Sequence, residues 1–161
     1  MNAMLLPVLI ASLAVLTALP ARAAAAAREF GVGVVIGEPI GGTAKLWLDR
    51  ERAVDVGAGF SDGNGVFWAD ALWHFRDLVP QVPEGFLAPY LGAGPRLRTG
   101  GDAQFGIRTL VGLAYRTARH PLELFAEAGP MFRLTQGGSV DADGGVGVRV
   151  YFGPGADGAR R

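Results

Sequence analysis

The 161-residue chain contains no cysteine. Disulfide scaffolds, thiol nucleophiles and Cys-type zinc sites are therefore all excluded. It also lacks charge of one sign: 15 basic and 15 acidic residues cancel, so no global basic field argues for nucleic acid. After residue 23 there is no apolar run near the roughly 20 residues that a membrane-crossing helix needs. Serine and histidine are scarce in the same region, with only Ser61, Ser139, His74 and His120. Glycine is the opposite case, at 25 residues, about twice its usual ~7 % share.

Residues 1–23 read as a secretory signal. Leu5–Leu19 is an apolar run of signal length, followed by Pro20 and the A-x-A-like Ala21-Arg22-Ala23. Cleavage is expected after Ala23, with secretion across an inner membrane. Residues 24–152 then form one domain, and the Gly-rich, polar 153–161 is expected to be a disordered tail.

Within the domain, apolar residues recur with period two and no useful helical period appears. Turn residues cut the pattern into eight strands: 30–37, 42–49, 52–60, 65–75, 87–98, 104–117, 122–135 and 140–152. One face of these strands is aliphatic, as in Val32-Val34-Ile36, Val54-Val56, Val111-Leu113 and Val146-Val148-Val150. The other face is mostly glycine, interrupted by Lys45, Asp55, Asp70, Arg96, Arg108, Glu127, Asp143 and Arg149. A soluble sandwich carries abundant Lys, Glu and Ser on its polar face. A face crowded with glycine suits the concave interior of a narrow barrel, where eight strands leave room only for side chains. The reading is an all-β, eight-stranded, antiparallel up-and-down transmembrane β-barrel, with lipid outside and single charges inside.

Aromatic residues sort toward the strand ends. With both termini at one end, Phe30, Trp47, Trp73, Phe75, Phe86, Tyr115 and Phe152 fall there, and Phe60, Phe67, Trp68, Phe105 and Phe132 fall at the other. Phe105 and Tyr115 are about 33 Å apart along one strand, which at a tilt near 40° spans an apolar band about 25 Å tall. His74, between Trp73 and Phe75, is expected at headgroup level. Pro95 and Pro130 fall inside strands of a barrel with no free edge, so bulges or earlier strand ends are expected there.

The signal, the segment Gly37-Glu38-Pro39-Ile40-Gly41-Gly42-Thr43-Ala44-Lys45, the hairpin around Asp70–Phe75 and the ending Val148-Arg149-Val150-Tyr151-Phe152 together resemble the small eight-stranded bacterial outer-membrane barrels of the OmpA/OmpX type. They also resemble the outer membrane protein beta-barrel domain families. The resemblance implies a monomer in the outer membrane of a Gram-negative-type bacterium, whose partners are membrane lipid and, during insertion, the barrel-assembly machinery. In such families a final aromatic strand is the assembly signal. Here Val148, Val150, Tyr151 and Phe152 match it.

Three functions remain open. The first is a non-enzymatic barrel that stabilises the membrane or presents short loops, its interior charges pairing into a plug. The second is a narrow channel, with those charges lining an ion path. The third is a periplasmic soluble barrel that holds a small apolar ligand, which requires Val, Leu and Trp to face inward. An outer-membrane hydrolase is disfavoured, because Ser61 and His74 lie at opposite rims, about 25–30 Å apart by strand rise, against the ~3 Å that a nucleophile–base pair needs. The motifs Gly31-x-Gly33 and Gly92-x-Gly94 precede no helix, so phosphate-loop readings fail. No catalytic residue, cofactor or metal is expected.

Overall fold

Eight antiparallel strands close on themselves in chain order: β1 (Phe30–Glu38), β2 (Ile40–Trp47), β3 (Arg52–Ser61), β4 (Asn64–His74), β5 (Gly85–Arg98), β6 (Gln104–Thr117), β7 (Leu122–Arg133) and β8 (Ser139–Phe152). The computed structural model describes residues 29–101, 103–135 and 137–153. The expected signal 1–23 and, beyond Gly153, the expected tail lie outside the described residues. Closure comes from the β1–β8 ladder, which runs from Phe30 opposite Phe152 to Glu38 opposite Gly144. A closed barrel leaves no unpaired strand edge. The end at which β1 starts and β8 finishes is the terminal end, and the opposite end the far end.

Side-chain parity sorts the two faces. Val32, Val34, Ile36, Val56, Leu91, Val111, Leu113, Leu124, Val146 and Val150 are exposed on the outside. The inside holds the buried charges together with Val35, Leu72, Leu110 and a set of aromatic residues. Two of those aromatics correct the girdle expected from sequence: Trp47 and Trp68 are each 5 % exposed and face inward. Strand parity decides this, because Trp47 is two residues from the inward Lys45 and Trp68 two from the inward Asp70. Position near a strand end does not override the pleat.

Glycine makes the tight interior possible in two ways. At Gly33, Gly37, Gly41, Gly59, Gly94 and Gly129, a Cβ would run into a carbonyl oxygen of the neighbouring strand, that of Val148, Gly144, Ala58, Ile40, Ala69 and Thr109 respectively. At these points the strands coil too closely for any side chain. Elsewhere a glycine sits directly across the ladder from a large inward side chain: Gly57 opposite Trp68, Gly112 opposite Tyr90, Gly147 opposite Phe125 and Gly31 opposite Tyr151. A Cβ at Gly31 would stand 2.8 Å from the Tyr151 ring. Each aromatic thus lies over the strand beside it, filling volume that its cross-strand partner gives up.

The prolines differ from expectation. Neither Pro95 nor Pro130 ends a strand or opens a bulge. Pro95 stays in register with Ile107 on β6, and Pro130 with Ala142 on β8. Each interrupts only its other ladder. The β4–β5 pairing passes from Trp68–Arg96 to Ala71–Ala93, and the β6–β7 pairing from Arg108–Met131 to Val111–Ala128, without a change of register. The missing N–H costs a local gap, and the glycine before each proline (Gly94, Gly129) lets the facing carbonyl close over it. The first hairpin also differs. Glu38 already belongs to β1, and Ile40 and Gly41 to β2, so the turn narrows to Pro39. The β3–β4 hairpin turns at Asp62 and Gly63, both at positive φ (47° and 75°), as a two-residue type I′ turn requires.

Candidate functional site

The polar interior is built from all eight strands and falls into two layers that share one tyrosine. In the layer nearer the terminal end, Glu123 (β7) is fully buried and receives three donors. Lys45 Nζ (β2) lies 3.2 Å from both of its oxygens, Arg149 Nη1 (β8) donates to Oε1 at 2.9 Å, and the Tyr151 hydroxyl donates to Oε2 at 3.0 Å. Arg149 also donates through Nη2 to Asp55 (β3) at 3.0 Å, and Thr43 Oγ1 donates to the other Asp55 oxygen at 2.5 Å. The Arg149 guanidinium rests 3.6 Å from the centre of the Phe125 ring, so its flat face is covered as well. Lys45 Nζ is 4.5 Å from the Trp47 ring centre and donates to His74 Nε2 at 2.9 Å. An ammonium has only donors, so Nε2 accepts and the ring proton belongs on Nδ1, which faces the Glu51 carbonyl oxygen at 3.3 Å.

The second layer centres on Arg108 (β6). Its Nε and Nη2 grip Asp70 (β4) as a fork, Nη1 reaches Asp143 (β8) at 3.0 Å, and Nη2 reaches Glu127 (β7) at 3.3 Å. Arg96 (β5) pairs with Asp143 and reaches Glu38 (β1) at 3.2 Å. Tyr90 joins the layers: its hydroxyl donates to Glu127 Oε2 at 2.6 Å while its ring stacks on His74, with centroids 5.0 Å apart. Two further pairs close the ends. Arg116 binds Glu29 and lies 4.3 Å from the Tyr151 ring centre at the terminal end, and Arg133 grips Asp141 at 2.7 Å near the far end.

Charge is nearly balanced inside. Lys45 and Arg149 match Glu123 and Asp55 in the first layer. In the second, Arg96 and Arg108 face Asp70, Glu127 and Asp143, an excess of one carboxylate that Tyr90 helps to satisfy. Charges held away from water must be paired in this way or pay several kcal/mol each.

All eight charged residues singled out from sequence line this interior. Glu123 does too, and the sequence reading missed it, although it shares parity with Glu127 two pleats along β7. Thr43, Tyr90 and Tyr151, which complete the hydrogen bonding, carry no signal beyond parity. His74 is corrected: it is 1 % exposed inside the barrel rather than at headgroup level. The alternation that makes Trp73 face out makes His74 face in. Of the expected interface aromatics, Phe30, Trp73, Phe75 and Phe152 are exposed at the terminal end and Phe60, Phe67 and Phe132 at the far end, while Tyr115 and Phe105 are half-buried. In the last strand, Val150 and Phe152 point out and Tyr151 points in.

The chemistry open to this arrangement is narrow. Among the described residues, no group of His, Asp and Glu could hold a metal ion. Ser61 pairs with Asn64 at the far end of the β3–β4 ladder, whereas His74 closes β4 at the terminal end. A polar cavity of about 360 Å³ opens at the far end, lined by Glu38, Asp62, Arg96, Arg98, Arg133 and Asp141. Each arginine there already holds its own carboxylate.

No protein-family model and no curated protein matches the chain. Among solved structures, the N-terminal β-barrel domain of Pseudomonas aeruginosa OprF is similar, with a TM-score of 0.52 at 18 % identity, over 78 % of this chain and 97 % of that one. The likeness shows the fold: a closed, eight-stranded, up-and-down β-barrel.

Proposed function

We propose that this chain is a non-enzymatic integral protein of the outer membrane of a Gram-negative-type bacterium, exported across the inner membrane by residues 1–23. It acts as a small monomeric barrel that stabilises the membrane and presents short loops at the far end. The single observation that carries this reading is the inversion of the two faces. Val34, Ile36, Val111, Val146 and Phe60 stand exposed on the outside, while Arg108, Arg149, Lys45, Asp55 and Asp70 are buried within. Water would favour the reverse, and an exposed belt of this extent matches a hydrocarbon surround. A soluble calyx for an apolar ligand needs aliphatic side chains turned inward, whereas the inward face here carries the paired charges.

The channel reading is weaker for a related reason. Guanidinium and carboxylate groups from facing strands span the interior in two successive layers, and an eight-strand barrel has little cross-section beyond its own side chains. The short far-end connections, such as Asp62-Gly63, offer little surface for a receptor. Both termini then face the periplasm, and the outward Val148, Val150 and Phe152, with the inward Tyr151, form the strand offered to the assembly machinery.

Fractionation tests the reading. The mature protein should remain in outer membranes washed with urea, and its folded form should migrate differently on a gel before and after boiling. Recovery from the soluble periplasmic fraction, with no heat-dependent shift, refutes it.

A further inference from the structure

The connection between β4 and β5 is unlike the other connections at its end of the barrel. Residues 48–51 and 118–121 form short turns that carry Asp49, Arg50, Glu51 and Arg119. Residues 75–84 are longer, contain one 3-10 turn (Arg76–Leu78), and expose Phe75, Leu78 and Val82, with Leu78 at 70 %. Beside them stands the outward Trp73.

This long connection is tied down from within. β5 pairs with β6 from Gly85 onward, but its pairing with β4 begins only at Tyr90 opposite His74, so the start of β5 lacks a strand on one side. The Gln81 side chain takes that place. Its Oε1 accepts from the Leu87 N–H at 3.3 Å, and its Nε2 donates to the carbonyls of Leu87 at 3.3 Å, Val79 at 3.2 Å and Arg76 at 2.5 Å. Backbone bonds fix the connection at a few further points. Leu78 N–H donates to the Phe75 carbonyl, Gly85 N–H to that of Val82, and Ala118 N–H to that of Glu84. Pro80 and Pro83 have no N–H to satisfy. The one cation, Arg76, turns inward over the Phe86 and Trp47 rings, 4.2 Å and 5.2 Å from their centres. Glu84 pairs with Arg119.

Apolar tips gain nothing by exposure to water, whereas an element lying among lipid headgroups turns them toward the acyl chains and leaves its polar groups to the hydrated layer. We propose that residues 75–83 form a foot lying in the interfacial layer of the inner leaflet, with Phe75, Leu78 and Val82 toward the acyl chains and Asp77 at the aqueous edge. The foot continues the lipid-facing surface past Trp73 and widens the barrel's grip on the leaflet at the one place where β4 stops short. The inference rests on the outer-membrane reading above.

Because the chain has no cysteine, single-cysteine variants of the full protein can carry a nitroxide label in phosphatidylcholine vesicles. Collision rates with oxygen, which concentrates in lipid, and with a water-soluble nickel chelate then report depth. Val111→Cys serves as the lipid control and Arg50→Cys, in a charged turn of the same end, as the water control. Leu78→Cys and Val82→Cys are expected to show nickel accessibility several-fold below that of Arg50→Cys, with raised oxygen accessibility. Nickel accessibility equal to the Arg50 label, with Val111 still lipid-exposed, overturns the foot and leaves the membrane reading intact. That outcome makes Leu78 and Val82 a surface for a soluble partner instead. A Val111 label open to nickel overturns the membrane reading and the foot with it.

Discussion

Replacing Glu123 with alanine is expected to cost about 3–5 kcal/mol of folding stability, the range found when one partner of a buried ion pair is removed. The carboxylate receives Lys45, Arg149 and Tyr151 at 2.9–3.2 Å, and all four side chains are almost wholly buried. Truncation leaves Lys45 with only the His74 nitrogen as a polar acceptor, and Arg149 with Asp55 and Thr43. The layer then holds an uncompensated positive charge. Adding Lys45→Met restores the balance, since Arg149 and Asp55 remain paired, and the double variant should recover part of the loss. The difference between the double change and the summed single changes measures the coupling. Denaturant titration of the barrel in vesicles, followed by tryptophan emission, reads all three variants. A cost below about 1 kcal/mol for Glu123→Ala, the scale of an exposed pair, would mean that water reaches this layer and the plug is open.

On the outer face, Val111→Arg should cost about 2–4 kcal/mol, while the same change at Val140 should cost about 0–1, because the penalty for a cation on the lipid face falls from midplane to interface. The two sites are 60 % and 62 % exposed, so burial within the protein cannot separate them. Val111 lies in the middle of β6 and Val140 at the far-end start of β8. Only a surround whose polarity changes with depth makes them differ. Equal, small effects in the same titration would place both residues in water.

Much of this was legible from alternation alone. The period-two pattern defines eight strands and separates aliphatic from glycine-and-charge faces, because a narrow interior leaves each strand little choice. For Trp47, Trp68 and His74, distance from a strand end is a weaker rule than the parity that their neighbours Lys45, Asp70 and Trp73 fix. The inward Trp68, Tyr90, Phe125 and Tyr151 follow from a relation that no single strand displays: each has a glycine across the ladder, and register is known only once strands are paired. The prolines too depend on pairing. A missing donor faces one neighbour only, and Gly94 and Gly129 absorb the consequence. Nothing in the local sequence of 75–84 announces Gln81 as a substitute strand, since that role exists only because β4 ends before β5 begins.

The facing of the three tryptophans tests the account most directly. In vesicles of brominated phosphatidylcholine, a variant retaining only Trp73 (Trp47→Phe with Trp68→Phe) should lose most of its emission. Variants retaining only Trp47 or only Trp68 should keep theirs, because bromine on acyl chains quenches at contact and both indoles are enclosed by the barrel wall. Strong quenching of Trp47 or Trp68 with Trp73 unaffected would contradict the account, since it would turn the charged face toward the lipid.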